Sequence, residues 1–431
     1  MITSPAFAGK KYAVLGLARS GLATVDALVA SGAEVVAWDT REEARDAVAD
    51  RAQIGDPVGA DLTGYAGVVV APGVPLNRHP IAGHAANYGV PVIGDIELFA
   101  QARADLPRHK VVGITGTNGK STTTALVHHI LKTAGVPTTM GGNIGLPILG
   151  QDPLPQGGVY VLELSSYQID LTYSLDCDVA VLLEITPDHL DRYENMAAYI
   201  NSKLRLFDMQ SPDHLAAYYH YQLLSTTIRK RIGDGHRKVD FANDDEALVE
   251  LQRHWPALQG PHNAQNAAAA MAVCIELDVG KDALKEGFRT YPGLPHRMER
   301  VAERNGILFV NDSKATNTES SAPALASYPH IHWIVGGLAK TEDLGPCAAQ
   351  LGHVRAAYTI GEAGPMFARL LEGRVPVTQS ELLVTAVKDA AAAARPGEVV
   401  LLSPACASFD QFRDYEARGQ AFRDAVGALG E

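Results

Sequence analysis

Two spacings of apolar residues alternate along the chain. Short apolar runs such as "KYAVLGL", "AGVVVAP", "VPVIGD", "KVVGITG", "GVYVLEL", "DVAVLLEI", "GILFVND", "HIHWIVGG", "AAYTIG" and "EVVLLSPA" have the length of buried strands. Between them lie stretches with helical apolar spacing, of which "SGLATVDALVASG" is the clearest. Strand, loop and helix recurring in that order predict parallel sheets covered on both faces, an α/β architecture. The first segment carries a strand through Gly16–Gly21 into an amphipathic helix and a second strand ending at Asp39, a βαβ unit. The polar, proline-containing stretch "QARADLPRHK" closes it. A second segment opens on "KVVGITG" and ends within "TYPGLPHRMERV", where Pro292, Gly293 and Pro295 break helical continuity. The third alternates strands with alanine-rich helices. Three domains are expected, over 1–105, 106–297 and 298–431.

Composition narrows the function classes. At 431 residues and 46% hydrophobic content the chain can bury several cores. A formal charge of -12 without basic runs argues against a general nucleic-acid or anionic-membrane binder, so a polyanionic ligand must meet locally built positive sites. Cys177, Cys274, Cys347 and Cys406 lie far apart with no CxxC pair, the pattern of reduced structural thiols. The amino terminus lacks a basic region followed by a long apolar stretch, which points to the cytoplasm.

Candidate chemistry concentrates after the second segment's opening strand. In "GITGTNGKSTTT", Gly116, Thr117, Asn118 and Gly119 can turn successive backbone N–H groups toward an anion, and Lys120 adds a point charge. Ser121 or Thr122 can place a hydroxyl on a magnesium ion, while the following helix aims its positive end at the phosphates. The usual phosphate-loop spacing fails, because Ile114 stands where the first glycine belongs. A glycine-rich turn before a helix is the bland alternative. Glu163 ends the run "GVYVLEL", and "EITPDHLDRY" places Glu184, Asp188, His189 and Asp191 after another strand, where open α/β sheets gather ligands. Glu163 and His189 are candidate metal ligands, although alone each reads as a solvated carboxylate and a hydrogen-bonding histidine. Asn263 and Asn266 share a helix face, with a cap at "GPHN" as the structural alternative. Lys203 reads, from its neighbours alone, as a surface helix lysine. In the first segment Gly16, Ala18 and Gly21 occupy the positions of a dinucleotide fingerprint with Asp39 placed for a ribose, so a nicotinamide site stays open there.

"GITGTNGKSTTT", "LELSSYQ", "TPDHLDRY", "GPHNAQNAAAA", "LPHRME", "NDSKATNTES" and "SPACASFDQF" occur in the order seen in the Mur ligases, and from about residue 10 onward the chain resembles that family. The last two motifs resemble those of its D-glutamate-adding members. The resemblance implies a Rossmann-like N-terminal domain for a UDP-sugar, a central P-loop ATPase-like domain for ATP, and a Rossmann-like C-terminal domain for an amino acid. It also implies an ATP-dependent acid–amino-acid ligase of peptidoglycan precursor synthesis that uses UDP-N-acetylmuramoyl-L-alanine and D-glutamate through an acyl phosphate, and a monomer is expected. Two Mg2+ sites would draw on Ser121, Glu163, His189 and Lys203, the last matching a lysine that the family carbamylates. Arg297, Asp312 and Lys314 join the nucleotide set with Asn263 and Asn266. Arg19, Ser20, Asp39, Thr40, Arg41, Gly73, Asn143, Ser165 and Gln168 would hold the UDP-sugar.

For D-glutamate the matching positions are Thr316, Lys340, Ser408 and Tyr415, all after strands of the third segment. Ser408 is also expected to cap a helix beginning near Phe409. Two departures stand out: "GGLAKTED" lacks the glycine and acid that many members carry around the lysine, and Tyr415 replaces a phenylalanine. A folylpolyglutamate-type ligase or a nucleotide sensor would share the ATP loop, but the former is not expected to carry a complete UDP-binding domain before it.

Overall fold

The computed structural model describes residues 1–188, 192–220, 225–233, 235, 237–241 and 246–430. The apolar runs build three sheets. In the first, β1 (Lys11–Leu15), β2 (Glu34–Trp38), β3 (Gln53–Ile54), β4 (Tyr65–Val70) and β5 (Val92–Ile93) lie in the order β3-β2-β1-β4-β5, all parallel. The order reverses at β1, so the strand ends of β1 and β4 diverge and leave a crevice between their loops. In the second, β6 (His109–Thr115), β7 (Thr138–Gly142), β8 (Gly158–Glu163), β9 (Val179–Leu182), β10 (Leu215–Tyr219) and β11 (Arg237–Phe241) are again all parallel, in the order β11-β10-β9-β6-β8-β7. The third sheet contains β12 (Glu299–Arg304), β13 (Ile307–Asn311), β14 (Ile331–Gly336), β15 (Val354–Ile360), β16 (Val377–Glu381) and β17 (Val399–Leu402). Its order is β12-β13-β17-β14-β15-β16, parallel except for the β12–β13 hairpin.

Strands with no matching apolar run are mostly edges. β3, β7, β11, β12 and β16 each close one side of a sheet. An edge buries fewer faces than a central strand and tolerates polar residues such as those of "ERVAER" and "VTQSE". β10, "LAAYY", is central but rich in alanine, a weak strand former.

Period-two alternation decides the cores. In the third sheet Val310, Trp333, Val335 and Leu401 point into one apolar cluster, while Phe309, Ile334, Val400 and Leu402 point into another on the opposite face. Tyr12 and Val14 of the first sheet share a single cluster with Val111, Tyr160 and Leu162 of the second, with Phe99 between them in sequence. Residues Met1–Ala242 with Asn266–Phe288 accordingly form one compact unit; Asn243–Gln265 with Arg289–Glu431 form another. In the latter, Gln259 Nε2 donates to the carbonyls of Gln252 and Trp255, both at 2.8 Å, and a Cβ on Gly293 would rest 3.4 Å from Ala257.

Candidate functional site

The phosphate-type loop follows β6, the strand flanked by β8 and β9. Gly119 has φ +80, and a Cβ there would collide with the Asn266 amide. Only glycine fits both demands without strain. Gly119 is also the N-cap of the helix Lys120–Thr133 and contributes no side-chain bond, so the helix's first N–H groups face the loop. Asn266 Oδ1 accepts from Thr123 Oγ1 at 3.2 Å. The loop is braced from β9's extension: Thr117 N–H donates to Glu184 O at 2.7 Å, and Thr117 Oγ1 meets Tyr199 OH at 3.1 Å. Asn118 lies exposed beside Thr186.

Two ammonium groups converge on this loop. Lys120 Nζ donates to Gly116 O at 3.1 Å and Thr117 O at 2.6 Å, and Lys203 Nζ donates to the same Gly116 O at 2.8 Å. Lys203 is not the surface lysine its neighbours suggest. It is 2% exposed, on the inner face of the helix Met196–Asp208 with Tyr199, Ser202 and Leu206. Burial, followed by repulsion from Lys120, holds its ammonium well below the usual lysine range and favours the neutral amine.

Glu163 likewise departs from the solvated reading, being 1% exposed at the end of β8. Its Oε1 accepts from Asn143 Nδ2 at 3.0 Å, whereas buried Oε2 has no hydrogen-bond partner among the described residues. An orphaned buried carboxylate oxygen beside a phosphate loop suits a hard cation. Ser121, also buried, opens the following helix. His189 and Asp191 lie outside the described residues, among which no cluster of three His, Cys, Asp or Glu side chains could hold a metal.

A crevice of about 400 Å³ opens where the first sheet's strand order reverses, lined by Arg19, Ser20, Asp39, Gly73, Asn143 and Gln168 among others. Gly21 is required there for close approach, since a Cβ would strike Gly16 O. The helix Arg19–Ala30 has no side-chain cap bond. Burial works against the Asp39 carboxylate, yet the N–H groups of Arg41 (2.9 Å) and Leu17 (2.7 Å) and the Arg41 guanidinium hold it below the usual range. Thr40, Arg41 and Ser165 do not line the crevice; Thr40 O accepts from Arg45, and Ser165 forms a reciprocal capping box with Gln168.

In the second unit, Asp312 ends β13's extension, accepting from Ser403 Oγ at 2.8 Å and Met298 N–H at 3.2 Å. Its burial pushes the carboxyl up to about 7. Lys314 Nζ stands 3.9 Å from the Tyr415 ring centroid, and Arg297 lies in the turn between Leu294 and Met298. Thr316, Lys340 and Ser408 follow β13, β14 and β17, three adjacent strands. One cap read from the sequence is corrected. Ser408 caps no helix: its carbonyl closes a turn with Phe412 N–H at 2.8 Å, and the helix starts at Tyr415, capped by Asp414. Asn263 sits inside the first turn of the helix Pro261–Glu276, because Pro261 takes the first helical position, and its Nδ2 donates to Gln259 O at 2.9 Å. Arg418 escaped the sequence reading altogether. It is 1% exposed and falls in phase with Phe422, Ala425 and Val426, a charged residue within an apolar stripe.

Fold and sites together define an α/β protein with a phosphate loop and a second crevice at a sheet switch point. The descriptions Mur ligase MurD-like N-terminal domain, Mur ligase middle domain and Mur ligase glutamate ligase domain match residues 10–94, 114–274 and 296–406. A protein of Novosphingobium aromaticivorans named UDP-N-acetylmuramoylalanine–D-glutamate ligase is 62% identical over 429 residues, covering 100% of this chain and 97% of its own. Its namesake from Zymomonas mobilis is 57% identical over 443 residues, covering 100% of both. The chain belongs to the Mur ligase family. Among solved structures, Thermotoga maritima MurF ligase in complex with ADP superposes with a TM-score of 0.61 at 15% identity, covering 98% of this chain and 96% of that one, a likeness of fold.

Proposed function

We propose that the chain is an ATP-dependent ligase joining D-glutamate to UDP-N-acetylmuramoyl-L-alanine, in the cytoplasmic stage of peptidoglycan precursor synthesis, and that it acts as a monomer. The relatives' shared name supports the substrates. The geometric observation that carries the reading is the Asn143–Glu163 bond: Asn143 lines the crevice, and Glu163 ends the strand beside the phosphate-loop strand. The bond sets the crevice beside the phosphate loop, which supports passing a carboxylate held in one to a phosphate held in the other.

Residues 1–105 hold the UDP-sugar, 106–297 the ATP, and 298–431 the amino acid. Arg19, Ser20, Asp39, Thr40, Arg41, Gly73, Asn143, Ser165 and Gln168 serve the first; the loop Gly116 to Thr122 with Asn263, Asn266, Arg297, Asp312 and Lys314 serves the second. Thr316, Lys340, Ser408 and Tyr415 face D-glutamate. One oxygen of the L-alanyl carboxylate attacks the γ-phosphorus and ADP leaves. The D-glutamate amine then attacks the acyl carbon, loses a proton, and phosphate departs with that carboxylate oxygen. Lys120 offsets charge between two anions during the first step, where catalysis is mostly positioning and neutralisation.

Ser121, Glu163, His189 and Lys203 would hold two divalent cations, whose chemistry when bound is to spread the charge of the phosphates. The unpartnered Glu163 Oε2 fits that assignment. Lys203 becomes an oxygen donor when its neutral amine adds carbon dioxide, forming an N–C bond and releasing one proton as the carbamate anion forms. Burial that suppresses its charge supports that step. The function is tested by ADP release with UDP-N-acetylmuramoyl-L-alanine and each of D-glutamate, L-glutamate and meso-diaminopimelate. Turnover confined to D-glutamate is expected; equal use of diaminopimelate moves the chain to another branch of the family.

A further inference from the structure

We infer that Arg418 is a positioning residue for the acceptor amino acid, a buried guanidinium that ties together the loops carrying the D-glutamate contacts; the inference rests on the D-glutamate reading above. From the helix Tyr415–Gly427 it donates through Nε to Ser313 Oγ (3.0 Å), through Nη2 to Ser313 O (2.8 Å) and Cys406 O (3.0 Å), and through Nη1 to Ala407 O (3.2 Å). Ser313 lies between Asp312 and Lys314 on the loop that continues to Thr316. Ala407 precedes Ser408 and exchanges two backbone bonds with Leu338, at 2.9 and 3.0 Å, on the loop that continues to Lys340. Ser313 Oγ in turn donates to Tyr415 O at 2.9 Å. One side chain therefore sets the loops after β13 and β17 directly, the loop after β14 through a backbone bridge, and the helix that starts at Tyr415.

The charge matters as well as the bonds. A guanidinium is costly to bury, and burial pulls Arg418 down to about 10. Its four described acceptors are all neutral oxygens. The Asp410 and Asp312 carboxylates lie near enough to favour the charged guanidinium, but neither is hydrogen-bonded to it. The guanidinium is thus held by neutral oxygens alone, at strand ends proposed to receive an amino acid with two carboxylates. An apolar side chain of similar size would fill the space but lose both bonds and charge, while lysine keeps the charge without the planar fork that spans two loops.

Steady-state kinetics of the full chain test this, with R418M, R418K and S313A compared with wild type for all three substrates. In R418M the KM for D-glutamate is expected to rise about tenfold or more and the KM for the UDP-sugar to move less than about twofold; because Ser313 lies between Asp312 and Lys314 of the proposed nucleotide set, the KM for ATP should rise as well, by less than that for D-glutamate. R418K should recover part of that rise, and S313A, losing one bond, should show a smaller one. An unmoved D-glutamate KM in folded R418M, a uniform change in all three KM values, or R418K no better than R418M overturns the inference. Should R418M fail to fold, wild-type D-glutamate KM in both R418K and S313A overturns it. Absence of D-glutamate-dependent turnover in the wild type overturns the functional reading itself and the inference with it, whereas normal wild-type turnover with unmoved variants overturns the inference alone.

Discussion

Lys203 and Asp312 illustrate the same physics with opposite signs: burial suppresses whichever form is charged. For Lys203 this frees a lone pair. Incubation with 13C-labelled carbon dioxide should give a carbamate carbon resonance that Lys203→Ala lacks, and small carboxylates should partly restore that variant's activity; a resonance of equal strength in the variant contradicts the assignment. For Asp312 burial costs stability. An unfolded carboxyl ionises near pH ~4, whereas Asp312 holds its proton to about 7. Between those values the unfolded state binds fewer protons, so stability falls as pH rises through the window. Asp312→Asn should therefore lessen the loss of Tm between pH ~5 and pH ~7, two conditions inside that window, while weakening ATP use. A steeper fall in the variant would contradict this.

At the scale of elements, the two glycine loops proposed to bind nucleotides depend on close backbone approach. Gly21→Ala drives a Cβ into Gly16 O, so the β1 loop must shift, and a raised KM for the UDP-sugar with little change for ATP is expected. Lys120, first residue of the loop's helix, should cost about 3 kcal/mol of barrier or more when changed to Ala, over ~100-fold in rate, with the fold intact by circular dichroism. A near-normal turnover number would remove the loop from the chemistry. Central strands and the phosphate loop were legible in the sequence because parallel strands buried on both faces leave apolar runs and the loop leaves a glycine–lysine–serine signature. Edge strands such as β12 were not, since half their surroundings are polar. Burial of Lys203 and Arg418 was signalled only by their phase within helices whose other inward residues are apolar. Ser408 offers a cap by residue type alone, but the last helix starts at Tyr415, where the Asp414 carboxylate takes the Ala417 N–H at 2.7 Å.

At the scale of the whole molecule, the central claim is that ATP is spent on activating a carboxylate rather than on hydrolysis. UDP-N-acetylmuramoyl-L-alanine labelled with 18O in its terminal carboxylate separates the two. With ATP and D-glutamate present, each amide bond formed should release one inorganic phosphate carrying one carboxylate-derived 18O, read by 31P NMR as an isotope-shifted line. Unlabelled phosphate released in proportion to product would contradict the acyl-phosphate account, because the oxygen would then have come from water.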